Sequence, residues 1–162
     1  MIEIDADALA GRDDLCTELL RLNNIHEEEL SLLDEPGFLR LVGNSYLSLA
    51  SDDGSALLIA FDQTGDYHSE NFLWFKQRFD RFIYVDRVVV DPATRGRGIA
   101  SKLYSRLFDG AANAGHTRVV CEVNLDPPNP ASDGFHQRHG FEQIGQATLG
   151  SGKVVRYFEK LL

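Results

Sequence analysis

Apolar positions along this chain follow two rhythms, one of helical spacing and one of strands. "DDLCTELLRLNNIHEEEL", residues 13–30, brings Leu15, Leu19, Leu20 and Leu22 near helical spacing with Asp13 available as a cap, which predicts a first helix. "DEPGFLRLVGNS" predicts a second, shorter one. "SYLSLA" and "SALLIAF" flank Asp52-Asp53-Gly54 and read as two strands joined by an Asp-Gly turn. Residues 62–82 keep neither rhythm and predict a long irregular connection; it holds Tyr67, Phe72, Trp74, Phe75, Phe79 and Phe82. Loops of that length are uncommon and often functional. "IYVDRVVV", Ile83 to Val90, is a β-branched strand that Asp91-Pro92 must end, because proline cannot continue a ladder.

Ile99, Leu103, Leu107 and Ala111 then recur every four residues with Phe108 beside them, the stripe of an amphipathic helix, and Gly115 stands in the usual place after its end. "TRVVCEV" follows as a buried strand, so Ile83–Val123 reads as strand, tight turn, helix, strand. That order predicts a right-handed crossover between parallel strands. A Pro-rich loop, "NLDPPNP", leads to a short helix within "ASDGFHQRHGF" and a terminal hairpin turning at Gly150-Ser151-Gly152. With no repeat, low-complexity tract or linker, the expectation is one α/β domain over residues 1–162, with a mixed, mostly antiparallel sheet.

Composition narrows the function classes. A chain of 162 residues can bury a real core, and no apolar run approaches the ~18–20 residues of a membrane span. The acidic start "MIEIDADALAGRDD" is unlike a signal peptide. Cys16 and Cys121 are the two cysteines and lie far apart, which argues against a disulfide framework and for a cytoplasmic setting. The net charge of −9 disfavours nucleic-acid binding through a general basic surface and suits a cationic small molecule.

Against that acidity stands "DPATRGRGIASKLY", Asp91 to Tyr104, between the strand and helix of the crossover. The first turn of a helix carries backbone N–H groups without intrahelical partners, and the macrodipole adds positive potential there. Gly96 and Gly98 let an anion approach the backbone closely, and Arg95 and Arg97 supply charge-assisted hydrogen bonds. The blander alternative is a solvated turn that happens to hold two arginines. The chain has no GxxxxGK[ST], since Ala147 stands where Gly152-Lys153 would need a glycine, and Ser101 breaks a dinucleotide fingerprint after Gly96 and Gly98.

Arg95-Gly96-Arg97-Gly98-Ile99-Ala100 resembles the coenzyme A loop of the GNAT N-acetyltransferases. "VVVDP" before it is similar to that family's strand-ending V-x-P, and "NPASDGFHQRHGF" to its N-x-x-A and G-F segment, with Asn129, Gly140 and Phe141 in register. The resemblance covers residues 83–162 by motif and the first half by element order alone. It implies transfer of an acetyl group from acetyl-CoA to an amine, without a metal, on a sheet whose two parallel strands splay. Pantetheine would pair with Val88 and Val90, the diphosphate would rest on Arg95, Gly96, Arg97, Gly98, Ile99 and Ala100, and Asn129 would touch pantetheine.

The chemistry needs a base for the ammonium and an acid for the leaving thiolate. Glu122 in "CEVN" matches the family's L-E-V glutamate and is the candidate base, with Asp86 the rival unless it pairs with Arg87 or Arg81. The family's acid is a tyrosine five residues before the final Phe; counting back from Phe141 gives His136, a departure, so His136 is the candidate acid and Tyr104 and Tyr84 stay open beside it. A second departure is the loop between Val123 and Asn129, two residues longer through "DPP". His136, His139, His116 and Cys121 lack the cluster a metal needs. The acceptor pocket is expected at residues 62–82, where Tyr67, Trp74 and Phe75 either wall it or cover the sheet, and Asp66 and Glu70 attract an ammonium. A free amino acid, a polyamine, an aminoglycoside and a protein N-terminus all remain open as acceptors, and a homodimer is compatible with the sequence. The alternatives are a CoA-binding regulatory module without catalysis, resting on the missing tyrosine, and a nucleotide-binding protein of Rossmann type.

Overall fold

The computed structural model describes residues 1–26 and 30–162. The elements run β1 (Ile2–Glu3), α1 (Ala6–Ala10), α2 (Asp13–Asn24), α3 (Glu35–Gly43), β2 (Leu47–Ala50), β3 (Ala56–Asp62), α4 (Glu70–Lys76), β4 (Ile83–Val90), a 3-10 turn (Pro92–Thr94), α5 (Ile99–Asn113), β5 (Arg118–Asp126), α6 (Pro130–Arg138), β6 (Glu142–Thr148) and β7 (Val154–Leu161). The strands form one seven-stranded sheet in the order β1-β2-β3-β4-β5-β7-β6. β4 and β5 are its parallel pair, joined by the predicted crossover through α5. Among the described residues no helix is long and apolar enough to cross a membrane.

Both faces of the sheet are covered, which explains why β3 reads as the unbroken apolar run "ALLIAF" rather than an alternating one. Leu57, Ile59 and Phe61 point into a core with Leu19, Leu22, Phe38, Phe72 and Phe75 from α2, α3 and α4. Leu58 and Ala60 point the other way, against Leu103, Tyr104, Leu107 and Ala111 of α5. Each fully buried leucine contributes roughly 1.5–3 kcal/mol relative to exposure.

Two local expectations are corrected. Asp13 does not cap α2: the cap position is Arg12, without a side-chain bond, and Asp13 lies in the first turn, where a carboxylate still complements the dipole. Of the stretch 13–30, α2 ends at Asn24, and residues 27–29 lie outside the described residues. Nor is 62–82 irregular throughout. Ser69 accepts a hydrogen bond from the Phe72 amide and opens α4, which buries Phe72 and Phe75 three residues apart.

One irregularity positions the site. Ile59 stands opposite Arg87 while Ala60 stands opposite Val85, so Asp86 is an extra, unpaired residue in β4. Such a bulge reverses which face later residues meet. Tyr84 packs in the α2–α4 core, and beyond the bulge Val89 does too, while Val88 and Val90 turn to the α5 face. β4 pairs with β5 only through Ile83 and Tyr84, opposite Val119 and Val120. Past that point the parallel strands part.

Candidate active site

The glycine loop shapes the mouth of the site. Gly98 occupies the N-cap of α5 in the left-handed conformation (φ 72°, ψ 16°), and no side chain caps the helix. Lys102 N–H donates to the Gly98 carbonyl as the first helical bond, so the preceding amides have no intrahelical partner. Gly96 also has positive φ, and a β-carbon added at Gly96 or Gly98 would meet nothing within 4 Å. The amides therefore face open space. That space is a cleft of about 450 Å³, lined by Val88, Val90, Arg95, Gly96, Gly98, Ile99, Ala100, Asn129 and His136, all singled out in the sequence. Arg97 is exposed and is not part of the lining. Thr94, Ser101, Phe135 and Arg138 line it without having been expected to.

Helix α6 forms the opposite wall. Asn129 caps it by accepting from the Ser132 amide, and an ion pair between Asp133 and Arg156 of β7 fastens it to the sheet. His139 donates from Nδ1 to the Phe135 carbonyl, and Ser101 Oγ of α5 lies 3.1 Å from its Nε2.

A narrower slot of about 90 Å³ opens where β4 and β5 part. Val88, Asn129, Ser132 and His136 line both cavities, so the slot leads inward from the cleft. It brings together titratable groups from the two faces of the sheet. From the α5–α6 side come Tyr104 and His136; from the other come Asp86 and Glu122.

His136 is 3% exposed. Its Nδ1 lies 2.8 Å from the Ser132 carbonyl, which can only accept, so the ring proton is assigned to Nδ1. Nε2 is then an acceptor, and the Tyr104 hydroxyl 2.8 Å away donates to it. Burial pushes the His136 pKa down to about 4. The imidazole is thus neutral at pH 7, and its one N–H is committed away from the slot. Burial also holds the Tyr104 hydroxyl protonated, well above its ordinary range. The sequence position expected to carry the acid is filled by a histidine, and a tyrosine from a different helix delivers a hydroxyl to it.

Glu122 alternates with Cys121 and Val123 on β5 and so shares the face of Val120. Its Oε1 accepts from the Tyr84 hydroxyl at 3.1 Å, while Oε2 is buried with no partner at hydrogen-bond geometry among the described residues. Burial, then the negative charge of Asp86, push its pKa up to about 8, against the opposing influence of Tyr84, the Glu122 backbone and Asn71. Asp86 has the plainer role foreseen for it. Its carboxylate accepts from Arg87 Nε at 2.6 Å and from the Tyr67 hydroxyl. Arg87 is held at its other end by Asn23 Oδ1 at 2.6 Å, and Asn23 of α2 is itself fully buried. Arg81 instead donates to the Ala114 carbonyl.

The aromatic segment mostly covers the sheet. Tyr67 stacks on Phe61 at 4.2 Å with its hydroxyl turned to Asp86. Phe75 is fully buried, and Trp74 stacks on Tyr157 at 4.1 Å, where only a glycine at 145 leaves room: a β-carbon there would come within 2.6 Å of the indole. Glu70 is engaged with the Gly150 amide in the β6–β7 turn.

The family model described as "Acetyltransferase (GNAT) family" matches residues 65–141. The phosphinothricin N-acetyltransferase of Streptomyces coelicolor is 38% identical over 72 residues, 44% of this chain and 41% of that protein. Acetyltransferase Atu2258 of Agrobacterium fabrum is 32% identical over 80 residues, 49% of this chain and 56% of that one. The matches thus span about half the length of these relatives or less. The fold as a whole matches Arabidopsis thaliana NAA60, solved in complex with acetyl-CoA, with a TM-score of 0.65 over 90% of this chain and 95% of that one, at 19% identity. Residues 65–141, which hold most of the aromatic segment, the parted strands and the glycine loop, thus match the GNAT family of acetyltransferases over just under half of this chain.

Proposed function

We propose that residues 1–162 act as one N-acetyltransferase domain that moves the acetyl group of acetyl-CoA directly to a primary amine in a ternary complex, in the cytoplasm. The observation that carries this is the continuity of the uncapped start of α5, the cleft and the strand slot ending at the buried Glu122 Oε2. The free amides after Gly98 suit a diphosphate, with Arg95 and Arg138 in the lining to add charge. Arg97 serves from outside the cleft, through long-range attraction. β4 beyond Tyr84 has no β5 partner, so the backbone edge near Val88 and Val90 is available to pantetheine amides and to the thioester carbonyl. Asn129, at the junction of cleft and slot, is the side-chain contact for pantetheine.

Glu122 takes the proton of the acceptor ammonium, directly or through one water. A carboxylate with a pKa near 8 is a better matched base than an ordinary one at neutral pH. Attack by the freed amine gives a zwitterionic tetrahedral intermediate, which sheds its second nitrogen proton to water and collapses to the amide and a thiolate. His136 acts at that end through Tyr104. With its single N–H on Ser132 and its pKa near 4, the imidazole holds the tyrosine hydroxyl at the slot, and that hydroxyl turns from Nε2 to the sulfur and supplies the proton. The regulatory alternative rested on a missing tyrosine, and Tyr104 weakens that ground.

A screen of amines with acetyl-CoA, read by release of free thiol, tests the reaction class; no release above hydrolysis with any amine rejects the enzyme. Within it, Tyr104→Phe is expected to lower kcat by about 10²-fold, the usual scale of a lost proton donor, with acetyl-CoA affinity retained. His136→Phe should lower kcat less, because it frees the hydroxyl rather than removing it. Wild-type turnover in Tyr104→Phe would show that solvent protonates the thiolate.

A further inference from the structure

We propose that the slot selects acceptors whose amine has no acidic group beside it, an alkylamine or an amide-flanked amine rather than an α-amino acid; this rests on the acetyltransferase reading above. Among the described residues, the charged side chains lining the slot are Asp86, Arg87 and Glu122. Arg87 is the one cation among them, and its guanidinium is already held by Asp86 on one side and by Asn23 on the other. Asn23 is fixed in turn, donating from Nδ2 to the Ser31 carbonyl at 3.1 Å and to Asn24 Oδ1 at 2.9 Å. The Asp86–Arg87 pair is almost fully buried, with side-chain exposures of 6% and 3%. Turning Arg87 toward a substrate would strand Asp86 in a desolvated place, which costs far more than a surface pair.

Once Glu122 has ionised to act as base, these three groups sum to one negative charge, and its Oε2 has no donor at hydrogen-bond geometry among the described residues. An incoming N–H satisfies that oxygen. A carboxylate two bonds from the same nitrogen would enter beside Asp86 and Glu122 with no cation of the slot free to meet it. The −9 charge of the whole chain adds a long-range bias in the same direction. The selectivity is therefore a repulsive element built into the wall, with Asp86 as its fixed charge. The Asp86 carboxylate is held on two sides, by Tyr67 and by Arg87, so it does not withdraw.

The test uses matched acceptors on the wild-type chain: 2-phenylethylamine and phenylalaninamide against phenylalanine, and pentylamine against norleucine. Thiol release at saturating acetyl-CoA gives kcat/KM for each. The acid-bearing member is expected to be poorer by about tenfold or more, the least that one uncompensated like charge should cause. For the simple alkylamines this runs against the nitrogen's own basicity, since the α-amine of an amino acid is easier to deprotonate than theirs; phenylalaninamide is easier still, so the alkylamine pairs decide. An acid-bearing member within about threefold of its partner overturns the inference and leaves the acetyltransferase reading standing. No thiol release from any member overturns both.

Discussion

Gly98→Glu is expected to abolish acetyl-CoA binding, with affinity falling by at least about 10²-fold. Gly98 sits at φ 72° at the cap of α5, and a β-carbon there would have empty cleft around it. The new carboxylate therefore points where the diphosphate is expected. It would satisfy the free amides itself and set a negative charge against a negative ligand. Like charges so placed cost several kcal/mol, and a non-glycine residue in the left-handed region adds roughly 1–2 kcal/mol of strain. Titration calorimetry at concentrations that saturate the wild type should detect no heat, while circular dichroism reports a retained fold. Gly98→Ala separates the parts, because it carries the strain and not the charge, and its loss should be smaller. Undiminished affinity in Gly98→Glu would remove the loop from the cofactor site.

Glu122→Gln carries the second large effect, and it acts on rate and stability in opposite directions. Glutamine cannot take a proton, so kcat should fall by about 10²–10⁴-fold, the range assigned to a positioned acid or base. The pH profile is the sharper readout. Below about pH 8, where Glu122 becomes protonated, wild-type kcat/KM should climb with pH for two reasons, ionisation of Glu122 and loss of the acceptor's own proton. The variant keeps only the second, so its limb is shallower by one proton. An unchanged slope would hand the role to solvent.

The stability effect follows from the same shift. Glu122 binds its proton more tightly in the folded chain than at its ordinary value of 4.5, because burial and Asp86 disfavour the charge. Its contribution to stability is fully present below about pH 4.5 and is lost as pH rises through about 8. Glutamine mimics the neutral acid at every pH. Glu122→Gln should therefore be the more stable protein at pH 9, by an amount on the order of a few kcal/mol, with the gain shrinking toward pH 5. Urea melts at those two values measure it, and equal stability at both would mean that the carboxylate is well solvated. A site that costs stability in order to hold a base ready is a common outcome of selection for activity.

Much of the architecture could be read from residues in order. The crossover from Ile83 to Val123, the terminal hairpin and the loop at Gly96 and Gly98 all appear where periodicity and glycine placement predict them. α4 was missed because its seven residues are too short to establish a helical stripe, and its aromatics mask the period; the signal that marks it is Ser69 followed by Glu70. The site was legible in part. The cleft gathers nearly every expected cofactor residue, while Arg138 and Ser101 enter it only because α6 and α5 face each other across it.

The sequence by itself determined most of the elements, the parallel pair and the glycine turn before α5, because side-chain period and backbone conformation are properties of neighbours along the chain. The tertiary structure alone decided the chemistry of the slot. The Tyr104–His136, Tyr84–Glu122 and Arg87–Asn23 contacts join residues 32, 38 and 64 positions apart. The bulge at Asp86, set by pairing with β3, decides which of the β4 side chains meet them. Protonation depends on how much water and how much charge the folded walls leave around each group, and that quantity exists only once both faces of the sheet are covered.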